Sequence, residues 1–245
     1  MRQSATPLYI QIAEQLRSNI QTNVYEVGDR LPPESQLSQQ FGVNRHTIRQ
    51  AISQLKQDGL LRSERGSGTF VTAPIRYAIG ERVRYNEALK AQGHQAAFQL
   101  IKAIEMPAEV SVARKLEIQP GAAVAHVERL GMADGEPISV GSGYFPLSIF
   151  PDLLSEESVM DLKRTGSISR WLSDRYHIDH IRLTTSVSAR IVQPQDAKLL
   201  ELPLNQPILL AESVNVDQKG RLIEYGVARL RGDRMEMVFD NEHQQ

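Results

Sequence analysis

The 245-residue chain contains no cysteine, so neither a disulfide framework nor a thiolate metal site is open to it. No run approaches the roughly 18 consecutive apolar residues of a membrane span, and Met1-Arg2-Gln3-Ser4 leads into polar residues without the apolar core of a secretion signal. These absences predict a soluble cytoplasmic protein with no membrane partner. A net charge of −1 excludes a chain that coats nucleic acid along its whole length. What charge asymmetry exists is local: between Phe41 and Gly66 stand five basic residues (Arg45, Arg49, Lys56, Arg62, Arg65) against Asp58 and Glu64. That is the distribution of a module that meets phosphate with one face.

The first 72 residues carry a consistent helical punctuation. Pro7 opens a pattern in which Leu8, Ile12, Leu16 and Ile20 recur every four residues. After the breaker cluster Gly28-Asp29-Arg30-Leu31-Pro32-Pro33, a short helix begins at Glu34, sets Leu37 and Phe41 on one side and stops at Gly42. Asn44 is suited to cap a third helix whose apolar stripe is Ile48, Ala51, Ile52 and Leu55, ending at Gly59. Two short helices separated by three residues have helix-turn-helix spacing. Leu60-Leu61-Arg62-Ser63 and Thr69-Phe70-Val71-Thr72 then read as strands around Glu64-Arg65-Gly66-Ser67-Gly68, a wing whose glycines let backbone approach a sugar-phosphate chain. No GxxxxGK[ST] is present, and these glycines follow a helix rather than open one, which excludes a nucleotide loop there.

On the third helix, Arg45 and Arg49 lie one turn apart at the edge of the apolar stripe, with His46, Gln50 and Ser53 continuing the polar side. Arginine's planar fork can take guanine O6 and N7 together, making it the commonest reader in the major groove. Leu31-Pro32-Pro33-Glu34, Phe41 through Arg49, Asp58-Gly59-Leu60-Leu61 and Gly66 through Val71 together resemble the GntR family of bacterial regulators. The resemblance implies a DNA-binding set of Glu34, Asn44, Arg45, His46, Thr47, Arg49, Arg65, Gly66 and Ser67, with Arg45 and Arg49 reading bases and Gly66 at the wing tip. Where many relatives carry a further arginine after the Pro-x-Glu motif, this chain has Ser35.

Beyond a linker expected over residues 74–80, a helix from about Glu81 to Gln92 is followed by extended runs at Phe98–Ile104, Val124–Met132, Ile138–Phe145 and Leu183–Val192. Ala133-Asp134-Gly135-Glu136 and Asp217-Gln218-Lys219-Gly220 read as hairpin turns, so this part is expected to be α+β on an antiparallel sheet. Tyr85 through Gly93, Val127-Glu128-Arg129-Leu130, Asp134 through Ile138, Gly166-Ser167-Ile168, and Glu224-Tyr225-Gly226 with Arg231 through Arg234 resemble, in this order, the UTRA effector-binding domain of the HutC branch, whose fold is chorismate-lyase-like. The organisation expected is therefore a winged helix-turn-helix at 1–73 and an effector domain at 81–245.

The same resemblance implies an effector site of Tyr85, Asn86, Arg129, Ser167 and Glu224. An arginine, a hydroxyl and a helix start suit a phosphate, phosphonate or carboxylate, while Glu224 can accept hydrogen bonds from hydroxyl or amino groups. Arg231 and Asp233 are expected to pair with each other structurally. Gly131 stands where amino-sugar-phosphate-binding members carry a second arginine, and Ser169 and Leu230 stand where those members favour aromatics. The string Val43-Asn44-Arg45-His46-Thr47 with Arg49 is similar to the PhnF-type regulators of phosphonate utilisation. The expected partners are a palindromic double-stranded operator, a second copy of the chain and a small anionic effector, a phosphonate or phosphate ester, with no cofactor and no metal. Repression relieved by ligand is the default that the resemblance implies.

Alternatives are a HutC-type regulator of sugar, amino-acid or fatty-acid metabolism, and an enzyme on the lyase-like fold. For the enzyme, the histidines are scattered, His177-Ile178-Asp179-His180 lacks a third metal ligand nearby, and no G-x-S-x-G appears. A DNA-binding structural protein would be more basic than a pI of about 6.6.

Overall fold

The computed structural model describes residues 6–64, 66–80 and 85–239 and divides into two compact units, Met1–Pro74 and Ile75–Gln245. Among the described residues no helix is long and apolar enough to cross a membrane.

The first unit holds α1 (Leu8–Gln21), α2 (Glu34–Phe41), α3 (Arg45–Gln57), β1 (Leu61–Glu64) and β2 (Gly68–Val71). Each boundary has a local cause. Pro7 precedes α1, Gly42 closes α2 in the left-handed region at φ 64°, and the Asn44 side chain caps α3 by accepting from Thr47 N–H. The apolar stripes converge on one core in which Leu16, Leu37, Ile48 and Leu55 are completely buried, joined by Leu61 and Val71 from the hairpin. An Arg17–Asp58 ion pair ties α1 to the end of α3.

The second unit contains β3 (Ile75–Ala78), α4 (Tyr85–Ala91), β4 (Ala96–Pro107), α5 (Val110–Leu116), β5 (Ala123–Ala133), β6 (Glu136–Pro146), α6 (Glu156–Thr165), α7 (Ile168–Tyr176), β7 (Ile181–Ile191), α8 (Pro194–Leu200), β8 (Pro207–Val216), β9 (Leu222–Arg231) and β10 (Met235–Val238). A six-stranded sheet in the order β4-β5-β6-β9-β8-β7 is antiparallel throughout. Both its faces are covered, which explains why β5 and β6 are buried almost end to end. Ala125, Val127, Phe145 and Ile223 pack on Trp171, Leu162 and Leu172 of α6 and α7. On the opposite face, Val124 and Tyr225 meet α5, and Leu130 and Val140 meet Leu200 of α8.

One expectation needs correction. Residues 75–78 are not a linker but β3, paired in parallel with β10 in the register Ile75↔Met235 to Ala78↔Val238. Ile75 and Tyr77 are buried and Arg76 and Ala78 exposed, an alternation that a four-residue run next to Ala73-Pro74 conceals when its partner lies some 160 residues away. Residues 81–84, where the next helix was expected to begin, lie outside the described residues.

Candidate DNA-reading face and effector cavity

In the first unit, α3 presents Arg45 and His46 from its first turn and Arg49 from its second, all exposed. The sequence expectation placed Asn44 in the DNA-binding set as well as at the cap. Its Oδ1 is committed to the cap, accepting from Thr47 N at 2.9 Å and Thr47 Oγ1 at 3.1 Å. Thr47 is thereby turned toward its own helix start. Arg49 Nε donates to Oε2 of Glu34 at 2.7 Å, so the first residue of α2 aims the second arginine of α3. With the two side chains 66% and 37% exposed, this pair is a guide rather than a strong bond. Gly66 and Ser67 sit exposed at the turn between β1 and β2, with Gly66 at φ 80° and open space where a Cβ would stand. Arg65 lies outside the described residues.

In the second unit, β5, β6 and β9 floor a cavity of about 120 Å³, several times the minimum for one water. Tyr85, Asn86, Arg129 and Glu224 all line it; Ser167 does not. The Ser167 hydroxyl caps α7, accepting from Arg170 N at 3.4 Å, and faces an adjacent cleft that shares only Asn86 and His180 with the cavity.

Arg129 rises half-buried from the middle of β5. Its guanidinium has no hydrogen-bond or ion-pair partner among the described residues, although Glu224 acts on it through space. Burial lowers the arginine pKa and outweighs the opposing field of Glu224. Glu224 is itself buried. Burial alone would raise its pKa, but the contacts with His180, Arg129 and Asn215 together hold it below the usual carboxylate range. Its Oε2 accepts from Asn215 Nδ2 at 2.8 Å. His180 Nε2 lies 2.6 Å from the same oxygen but off the line of its ring N–H. The other ring nitrogen, Nδ1, is 3.0 Å from Ser169 Oγ. Tyr85 O–H meets Ser139 Oγ at 3.0 Å, and burial pushes its pKa up to about 12, so it stays neutral. Asn86 Nδ2 donates to Gly166 O at 2.6 Å, holding the α6–α7 turn against the cavity.

The cavity exists because side chains are missing from the central strands. Gly143 of β6 pairs directly with Gly226 of β9. A Cβ on Gly143 would fall 2.7 Å from Glu224 Oε1 and 2.7 Å from the Phe145 ring. Gly141 lets the Arg129 side chain lie across β6, 3.4 Å from where a Cβ would be. At Gly131, where a second arginine is the alternative, a Cβ would come within 2.3 Å of Ser139 Oγ and 3.4 Å of Tyr85 O–H, so that corner is already filled. In sequence alone, Gly141-Ser142-Gly143 reads as no more than a flexible strand segment. Nor does the sequence single out Asn215 or Ser139, and it presents His180 only as a metal ligand to be weighed. The Arg231–Asp233 pair, by contrast, is structural, with Nη2 and Oδ2 2.6 Å apart.

Residues 8–71 match the bacterial regulatory proteins of the gntR family and residues 91–236 match the UTRA domain. The chain is 32% identical to the probable transcriptional regulator PhnF of Escherichia coli (strain K12), over 95% of each chain. It is 30% identical to the mannosyl-D-glycerate transport/metabolism system repressor MngR of the same organism, over 89% of each. The crystal structure of PhnF from Mycobacterium smegmatis superposes with a TM-score of 0.64 at 26% identity, covering 97% of this chain and 100% of that one.

Proposed function

Since the chain belongs to the gntR family of bacterial regulatory proteins and continues into a UTRA domain, and is thus a DNA-binding transcriptional regulator rather than an enzyme, we propose that it represses a metabolic operon and releases its operator when an anionic metabolite occupies the cavity around Arg129. One observation carries this reading. A half-buried guanidinium faces the cavity with no carboxylate at ion-pair distance among the described residues. An uncompensated cation of that kind is costly alone and becomes favourable when a bidentate oxyanion fills the gap. A phosphonate or phosphate ester supplies that oxyanion, and similarity to the PhnF-type regulators favours the phosphonate. The similarity to MngR supports a second reading in which the anion is the carboxylate of a sugar acid, because Glu224, Ser139 and Ser213 line the same cavity with groups suited to hydroxyls.

On the DNA side, Arg45 and Arg49 are the base readers, His46 and Thr47 assist, and Gly66 and Ser67 bring the wing backbone to the minor groove. Asn44 and Glu34 act by holding α3 and Arg49. One recognition helix reads only a few base pairs, so a symmetric homodimer on a palindromic operator is the working form.

Calorimetry with phosphonates, phosphate esters, sugar acids and neutral sugars, run on the wild type and on Arg129→Ala beside operator-binding curves, tests the reading. The active anion should lower operator affinity by a coupling of about 1–3 kcal/mol, roughly 5- to 150-fold, and Arg129→Ala should lose the response while keeping ligand-free DNA binding. Tight binding of a neutral compound, unchanged in Arg129→Ala, would overturn it.

A further inference from the structure

The segment before α2 is part of the wing. Gly28 N donates to Val71 O at 2.9 Å, Val71 N to Asp29 O at 2.8 Å, and Leu31 N to Thr69 O at 2.8 Å. Strand β2 is therefore the middle of a three-stranded ladder, with β1 on one side and residues 28–31 on the other. In that ladder Phe70 stands directly opposite Arg62 on β1 and opposite Arg30 on the other side. Residues directly opposite one another project from the same face, so Arg30, Phe70 and Arg62 form one row across the wing. The neighbouring residues Leu31, Leu61 and Val71 are buried in the core of the unit. The row therefore occupies the outer face.

Gly68, two residues before Phe70 on the same face, clears the space for the first arginine: a Cβ there would lie 2.6 Å from Arg30 Nε. Gly68 also has φ 124°, in the region that favours glycine. The Arg30 guanidinium thus lies over Gly68, at the start of β2. Arg30 is exposed and has no ion-pair partner among the described residues. The carboxylate next to it, Asp29, is engaged by Glu26 N at 2.8 Å. With strands about 4.8 Å apart, Arg30 and Arg62 leave the sheet roughly 10 Å apart.

We propose that the outer face of the wing is a phosphate-binding surface, in which Arg30 contacts the DNA backbone beside the groove that the wing tip enters. Arg30 belongs to the DNA-binding surface although it lies outside the recognition helix and the wing turn. It contributes affinity without sequence preference, since phosphate carries no sequence information.

The test uses the full-length protein and a duplex recovered from a random-sequence pool by the wild type, with a scrambled duplex as comparison. Fluorescence anisotropy gives affinities across a range of KCl concentrations. Each phosphate neutralised adds about 0.9 to the slope of log affinity against log salt. If ion release is its whole effect, one such contact is worth roughly fivefold at 0.15 M salt and roughly 15-fold at 0.05 M. Because the dimer carries two copies, Arg30→Gln should lower the slope by about two and weaken both duplexes by the same factor, while Arg30→Lys should retain the slope. A thermal melt confirms that each variant is folded. An unchanged slope in folded Arg30→Gln would overturn the proposal, as would a loss confined to the selected duplex, which would make Arg30 a base reader.

Discussion

Replacing Arg129 with methionine separates a binding arginine from a structural one before any ligand is known. Were Arg129 half of a buried ion pair, its removal would strand a charge and cost about 3–5 kcal/mol. For a unit of this size each kcal/mol moves the melting temperature by about 2–4 °C, so the transition would fall by about 6–20 °C. The structure argues for the opposite outcome. No described carboxylate is within ion-pair distance of the guanidinium, and the burial that opposes its charge outweighs the help it receives from Glu224. Glu224 loses one favourable field in the variant but keeps Asn215 and His180. The net change should stay within about 1 kcal/mol or be stabilising, shifting the transition by no more than about 2–4 °C downward. The chain's one tryptophan, Trp171, is fully buried in the second unit, so its fluorescence follows this unit's transition without a label. The same variant should lose two charge-assisted hydrogen bonds to the anion, each worth about 1.5–3 kcal/mol, and hence at least roughly 150-fold in affinity. A fall of more than about 6 °C in the ligand-free variant would refute this reasoning and return Arg129 to the framework.

Arg49→Ala should cost about 1–3 kcal/mol per half-site on operator DNA and relax preference at one base position in each half-site; equal losses on operator and scrambled duplexes would make it a phosphate contact. Gly143→Ala places a methyl 2.7 Å from both Glu224 Oε1 and Phe145, so ligand binding measured by calorimetry should vanish and stability fall by about 1–3 kcal/mol. Glu224 has a depressed pKa in the folded state, so its charge contributes stability above the unfolded value of about 4.3, and that contribution disappears as the pH falls through the folded value. The stability gap between wild type and Glu224→Gln in urea titrations should therefore widen from about pH 3 to pH 6, and a gap independent of pH would contradict the assignment.

The first unit was almost wholly legible because its determinants are local. Asn44 caps the helix that begins one residue later, Gly42 closes the preceding one, and the Leu37, Ile48 and Leu55 stripes declare their own period. In the second unit, three of the expected extended runs fell inside β4, β5 and β6, the fourth overran the end of β7 by one residue, and the Asp217 turn joins β8 to β9. What escaped depends on neighbours distant in sequence. β3 is recognisable only beside β10. His180 acquires meaning from a glutamate 44 residues later, and Gly143 from its position opposite Gly226. Arg30 looked like part of a breaker cluster because its partner strand is β2. Ser167 was placed by its family motif, and its hydroxyl turned out to cap α7 beside the neighbouring cleft.

Glycine in the middle of a strand weakens the sheet, yet Gly141, Gly143 and Gly226 lie in adjoining β6 and β9 and are held by a ladder fully paired on both sides. The shape of the binding space is thus written in absent atoms on a rigid floor, not in the conformation of loops. Adding one carbon at Gly141, where a Cβ would meet the Arg129 side chain at 3.4 Å, changes what fits, whereas at Gly143 or Gly226 it crowds Glu224, Phe145 or Ser213 below 3 Å and those neighbours must shift. A lineage carrying this fold can therefore reshape the cavity in single-nucleotide steps, since every glycine codon lies one base from an alanine codon, while the helices that answer to DNA keep their sequence.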